Sequence, residues 1–195
     1  MLLKPATFPL GSGYSYELKW DGFRAIVSTE DGLRVRTRRG REIGPQLPEL
    51  ETLPPGLVLD GELVAFDNDG RPSFLAISDR LLHRRSRAPV TFVVFDVLAR
   101  DGVSMLSWPL AERRAVLEDL GLQRPAYVAP VFADGPALFE AACREGHEGI
   151  VAKRLRDPYK PGERGWFKIK NRDYWRFGPD LRASAGPAGA RLSRA

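Results

Sequence analysis

The sequence has one cysteine, two histidines and no long apolar run, and each scarcity removes a class of function. A single thiol, Cys143, rules out an internal disulfide and any zinc site built from several cysteines. It lies among small apolar residues in an expected helix, so a buried structural thiol is the reading. His83 and His147 have no companions at metal-ligand spacing and are not nominated as ligands. No stretch approaches the roughly 18 apolar residues of a membrane span, and the start, Met-Leu-Leu-Lys-Pro, does not read as a secretion signal. These absences predict a soluble, cytoplasmic protein without membrane contacts. What is present fits a folded domain. The 195 residues are 43% hydrophobic, enough for one sizeable core, and the formal charge of +5 is a mild bias toward polyanions.

One stretch organises the rest, Glu17-Leu18-Lys19-Trp20-Asp21-Gly22-Phe23-Arg24. Alternation from Tyr14 to Lys19 predicts a strand that throws Glu17 and Lys19 to one face, just before an Asp-Gly turn. Residues 1–13 read as an irregular arm. Arg24 to Glu30 and Leu33 to Thr37 read as a hairpin, followed by the basic cluster Arg36-Thr37-Arg38-Arg39-Gly40-Arg41. A short helix is expected from Pro45 to Leu53. Leu57 to Asp67 is then a strand whose Asp60 and Glu62 share a face. Two carboxylates on an apolar strand are costly unless they meet cations, a metal or a ligand.

Farther on, Phe74 to Arg84 predicts an amphipathic helix and Val90 to Leu98 a strand with Phe95 and Asp96 on opposite faces. Leu110 to Leu122 predicts a helix with an Ala-Glu-Arg-Arg surface and Leu117 and Leu120 turned inward. Tyr127 to Phe132 reads as a strand. Asp134 is placed to cap a helix from about Pro136 to Gly146. Glu148 opens a buried-looking strand on which simple alternation puts Ile150 on its own face and Lys153 on the other. The run Trp166-Phe167-Lys168-Ile169-Lys170 throws Trp166, Lys168 and Lys170 to one side, and two like charges on one face favour a bound anion.

Lys-x-Asp-Gly-x-Arg, Asp-Gly-Glu, Phe-Asp, Glu-Gly-Ile-Val and Lys-x-Lys, in that order over about residues 14–172, resemble the motifs of nucleotidyltransferases that include ATP-dependent DNA ligases, RNA ligases and mRNA capping enzymes. The closer wording is similar to the adenylation domain of bacterial ATP-dependent DNA ligases, and most of all to the ligase modules of bacterial end-joining proteins. The resemblance implies an α/β (α+β) fold of two mostly antiparallel sheets with flanking helices, ATP-grasp-like, with the nucleotide in the groove between them. It implies that Lys19 attacks the α-phosphate of ATP to form a lysyl-AMP, and that AMP passes to the 5′-phosphate of nicked DNA before strand sealing in repair. Implied nucleotide contacts are Glu17 to the adenine amino group, Arg38 and Glu62 to the ribose, and Phe95 and Ile150 to the purine. Arg24, Lys168 and Lys170 fall to the phosphates. Magnesium or manganese is implied at Glu148, Glu62 and Asp21.

Two departures stand out. Arg39 occupies a position where the ligase pattern has asparagine. After Trp175 the strand pattern stops, so the expected organisation is an adenylation domain over 1–178, a flexible basic tail over 179–195 and no OB-fold domain. Implied partners are nicked or broken double-stranded DNA and a repair protein that supplies clamping of the duplex. An RNA ligase or capping-type enzyme is the alternative within the superfamily. A non-catalytic nucleotide- or DNA-binding relative that needs a partner is the alternative outside enzymology.

Overall fold

A computed structural model describes residues 1–8, 11–83 and 86–174, which form two sheets with short helices against their outer faces. Strands β1 (Leu2–Pro5), β2 (Tyr14–Leu18), β9 (Gly149–Arg154) and β10 (Arg164–Lys170) make the smaller sheet, in the order β1-β10-β9-β2. Strands β3 (Phe23–Ser28), β4 (Arg34–Thr37), β5 (Leu57–Ala65), β6 (Val90–Arg100) and β7 (Val103–Ser104) run β4-β3-β5-β6-β7 in the larger sheet, and β8 (Ala126–Val128) adds to β6. All pairings are antiparallel except β1 with β10 and β6 with β8. The expected α/β arrangement of two mostly antiparallel sheets is therefore the observed one.

The larger sheet buries Val27, Leu59, Leu63, Phe92, Val94 and Val97 on one face, where helix α1 (Phe74–Ser78) and helix α2 (Leu110–Asp119) contribute Ile77 and Leu117. Helix α3 (Gly135–Arg144) covers the smaller sheet through Leu138 and Ala142, packed on Tyr16, Ile150, Ala152 and Ile169. Its start is fixed as the sequence implies, because the Asp134 carboxylate accepts from the Ala137 amide at 2.9 Å. Between the sheets lies a third cluster, Val151, Trp166, Tyr159 and Leu98, with Phe95 and Ile26 against it. That interface is the floor of the site.

Several expectations are corrected. The first residues are not wholly irregular: Leu2–Pro5 is a strand, held only by the distant β10, a pairing that four residues carry no local signal for. The span Pro45 to Leu53 forms two 3₁₀ turns, Gly44–Gln46 and Pro48–Thr52, and the helix expected over Phe74–Arg84 is α1 followed by a π turn, Asp79–His83. Arg84 and the tail over 179–195 lie outside the described residues.

The largest correction concerns charge. Arg113, assigned to the surface of its helix, is fully buried and makes a bidentate pair with Asp96 at 2.7 and 2.8 Å. Its partner is placed by a one-residue bulge: Asp60 opposes Asp96, but Gly61 opposes Val94, leaving Phe95 as the extra residue. The bulge breaks the alternation, so Phe95 and Asp96 both serve the cleft side instead of opposite faces. Removing the cation leaves a buried carboxylate uncompensated. Arg113→Met is expected to cost about 3–5 kcal/mol in urea unfolding; a loss below about 1 kcal/mol would show the pair to be structurally idle.

Candidate active site

The cleft between the sheets is open to solvent and is lined by Leu3, Glu17, Leu18, Lys19, Trp20, Arg24, Glu62, Phe95, Val151, Lys153 and Trp166. Five residues singled out in the sequence (Glu17, Lys19, Arg24, Glu62 and Phe95) thus reach one cleft from four strands and the turn after β2. Tight backbone approach explains the glycines beside them. Gly149, at φ +134°, lies so close to the Ile169 carbonyl that a Cβ would collide with it, and a Cβ on Gly22 would strike the Leu63 carbonyl.

Lys19 stands at the end of β2 with its amine 2.5 Å from Glu148 Oε2, and Lys170 Nζ takes the other oxygen at 2.9 Å. Burial alone would raise the Glu148 carboxyl, but the Lys19 charge and bonds from Lys19 and Lys170 outweigh it and hold it below the usual range. Lys168 lies opposite Val151, a cleft residue, and cross-strand partners share a face, so it too belongs to the cleft side.

At the other end Glu17, nearly inaccessible, accepts from Lys153 Nζ at 2.8 Å. Lys153 Nζ also donates to the Phe95 carbonyl and sits over the Phe95 and Trp166 rings at 4.4 and 4.3 Å. Burial pushes Glu17 up and Lys153 down, each opposed by the charge of the other. Simple alternation from Glu148 puts Ile150 on the cleft face and Lys153 on the opposite one. The structure reverses this face: Ile150 is buried with Tyr14, Tyr16 and Leu138 behind the sheet, whereas Val151 and Lys153 line the cleft. The signal available was Glu17 itself, a buried acid across the ladder that needs a cation.

Arg24 is held by Asp60 through two bonds of 3.0 and 2.6 Å, and the Tyr159 hydroxyl donates to the same carboxylate at 2.7 Å. Arg38 is exposed and outside the cleft lining, although its amide donates to the Arg24 carbonyl at 3.3 Å. The proposed metal set does not assemble: among the described residues no three His, Cys, Asp or Glu side chains are grouped to hold an ion. Glu148 is engaged by lysines, and Asp21 accepts from the Tyr174 hydroxyl at 2.7 Å. A magnesium ion commonly uses one or two carboxylates plus substrate phosphates. The donor chemistry therefore fits a metal held by Glu148 together with a nucleotide, not a cage of Glu148, Glu62 and Asp21.

A cationic cleft between two antiparallel sheets, with a lysine at its floor and a buried acid at its far end, defines a nucleotide-handling site of the covalent nucleotidyltransferase kind. Residues 6–170 match the family model of the ATP dependent DNA ligase domain, and the chain belongs to that family. It is 37% identical over 182 residues to the SPbeta prophage-derived DNA ligase-like protein LigB of Bacillus subtilis, covering 89% of this chain and 67% of that protein. It is 38% identical over 169 residues to the multifunctional non-homologous end joining protein LigD of Mycolicibacterium smegmatis, covering 80% of this chain but 21% of the relative. Among solved structures, the ligase domain of M. tuberculosis LigD superposes with a TM-score of 0.70 at 34% identity, over 80% of this chain and 54% of that one. A mycobacterial DNA ligase D complexed with ATP and MES gives a TM-score of 0.69 at 33% identity, over 86% of this chain and 60% of that one. Among the described residues no helix is long and apolar enough to cross a membrane.

Glu62 lines the cleft without an ion pair among the described residues, and burial pushes its carboxyl up to about 8 despite Lys19 and Arg24 nearby. A carboxyl whose folded pKa lies above its unfolded one favours folding in its protonated state. Its contribution is therefore full below about 4.5 and is lost as pH rises through about 8. Glu62→Gln is expected to raise the melting temperature of the ligand-free chain more at the upper end of this window than at the lower end. An equal shift at both ends would show that Glu62 does not titrate this way.

Proposed function

We propose that this chain charges itself with AMP at Lys19 and hands AMP to the 5′-phosphate of nicked or broken double-stranded DNA, as the adenylation domain of a cytoplasmic repair ligase. The observation that carries the reading is the amine of Lys19 at the cleft floor, bonded to Glu148 and next to Lys170. Lys19 Nζ forms a bond to the α-phosphorus of ATP as the bond from that phosphorus to the bridging oxygen breaks, and pyrophosphate leaves. The nearest acceptor for the proton that Nζ sheds is Glu148 Oε2. Lys168, Lys170 and Arg24 offset phosphate charge through the transfer. Magnesium or manganese, held through Glu148 and the phosphates, supplies further charge neutralisation when bound. In the second step AMP moves from Lys19 to the DNA phosphate, and the 3′-hydroxyl then displaces AMP to close the strand.

Adenine selection follows from the far end. Lys153 occupies one oxygen of Glu17, leaving the other to accept from an exocyclic amino group, whereas the keto group of guanine cannot donate there. Phe95 offers a ring to the base, and Val151 supplies the apolar contact first assigned to Ile150. Glu62 and Arg38 fall to the ribose side. The chain spans 54% of the solved ligase domain and 21% of the LigD relative; clamping of the duplex is given to a repair-protein partner.

Intact mass spectrometry tests the chemistry. The untreated chain is weighed first, since it can carry AMP from the cell, and is then incubated with ATP and magnesium. The expected result is a gain of one AMP that pyrophosphate reverses, with none in Lys19→Ala. Modification of Lys19→Ala, or none of the wild type, would contradict the reading. Glu17→Gln is expected to lower the ratio of ATP to GTP labelling about tenfold, the effect of one buried hydrogen bond; an unchanged ratio would remove Glu17 from base selection.

A further inference from the structure

The basic run at the end of the first hairpin contributes no residue to the cleft lining, yet it holds the excess charge of the chain. Residues 34–41 contain Arg34, Arg36, Arg38, Arg39 and Arg41 and no acid, and the remaining 25 Lys and Arg equal the 25 Asp and Glu. All five are exposed. Strand β4 is an edge of the larger sheet, and its register fixes which way Arg34 and Arg36 face. Arg36 opposes Ile26 and Arg34 opposes Ser28, and cross-strand partners share a face. Ile26 packs in the cluster between the sheets with Val151 and Trp166, so Arg34 and Arg36 lie on the cleft-bearing face, with Val35 turned into the opposite core. The row continues to Arg38, whose amide reaches the carbonyl of Arg24, a cleft wall residue.

Local neutralisation is slight. Glu42 spends one oxygen on the amides of Val35 and Gly44, at 2.8 and 2.9 Å, and approaches Arg36 only to 3.7 Å on an open surface. A charged edge strand also guards against edge-to-edge pairing, but that task is indifferent to sign and needs one or two charges. Five arginines of one sign repel one another, and a row of bound anions relieves that repulsion.

We propose that this arginine row is the track on which the phosphate backbone of duplex DNA lies as its 5′ end enters the cleft. The inference rests on the reading of the cleft as a DNA-adenylating site, because a 5′-phosphate that must reach Lys19 brings its flanking backbone across the cleft mouth. Guanidinium groups suit phosphate through paired donors, and such contacts carry no sequence information. Binding through the row is accordingly salt-sensitive and indifferent to sequence.

The experiment measures fluorescence anisotropy of a nicked, 5′-phosphorylated duplex with the full chain between about 50 and 200 mM salt. The variant is Arg34→Gln, Arg36→Gln, Arg39→Gln, Arg41→Gln combined, with Arg38 left in place. Taking away one arginine–phosphate pairing makes the slope of log K against log salt shallower by about 0.9, so the combined variant is expected to be shallower by about two to four. AMP uptake from ATP, which needs no DNA, stays at the wild-type rate and reports an intact fold. Arg34→Gln and Arg36→Gln singly, each expected to lower the slope by about 1, serve if the combined variant does not fold. An unchanged slope would overturn the proposal, as would an equal decrease from Arg144→Gln on α3, which covers the other sheet. A wild-type chain that takes up no AMP but shows the expected slope change keeps the track and refutes the adenylation reading.

Discussion

Buried charge has to be matched, and that constraint builds this cleft. Of the five buried acids among the described residues, Asp21 accepts from the Tyr174 hydroxyl and four are met by cations: Glu17 by Lys153, Asp60 by Arg24, Asp96 by Arg113, and Glu148 by Lys19 and Lys170. Three of the four join distant segments, with Lys153 136 residues from Glu17 and Lys19 129 residues from Glu148. An unpaired partner at any of these points would cost several kcal/mol, roughly 3–5 for a broken buried pair. Each pair fixes register within its own sheet or against α2, and the two sheets meet where Lys153 Nζ also donates to the Phe95 carbonyl of β6 at 3.2 Å.

The same pairs arrange the chemistry. Asp60 and Tyr159 fix the Arg24 guanidinium in the cleft wall, and Tyr159 in turn stacks edge-on with Trp166, so both sheets contribute to the position of one arginine. Glu148 keeps two lysines together that would otherwise repel. Glu62, with no cation bonded among the described residues, is the acid left for a ligand, and the rise of its carboxyl to about 8 measures that incompleteness.

Much of this was legible in the sequence because strand periodicity is local. Alternation groups Glu17 with Lys19, Asp60 with Glu62 and Lys168 with Lys170 on shared strand faces, the family resemblance makes those faces the cleft's, and capping chemistry marks the helix start at Asp134. Motif order then identified the family. What failed was non-local or irregular. The bulge at Phe95 defeated alternation on β6, and Asp96 with it. Arg113 reads as surface in a helix dominated by Glu and Arg, since nothing nearby reveals a buried acid on another element. Strand β1 exists only through its pairing with β10. The exchange of Ile150 for Val151 and Lys153 turned on assuming that Glu148 and Ile150 share a face, although Gly149, at φ +134°, breaks the strand geometry between them.

The central claim is that the Lys19–Glu148 contact is a resting arrangement given up when the amine bonds to phosphorus. A crystal structure of the chain grown with ATP and magnesium tests it most directly. The account predicts continuous density from Lys19 Nζ to the phosphorus of AMP, with the adenine beside Glu17 and Phe95. Nucleotide bound elsewhere, with Lys19 still paired to Glu148, would contradict it.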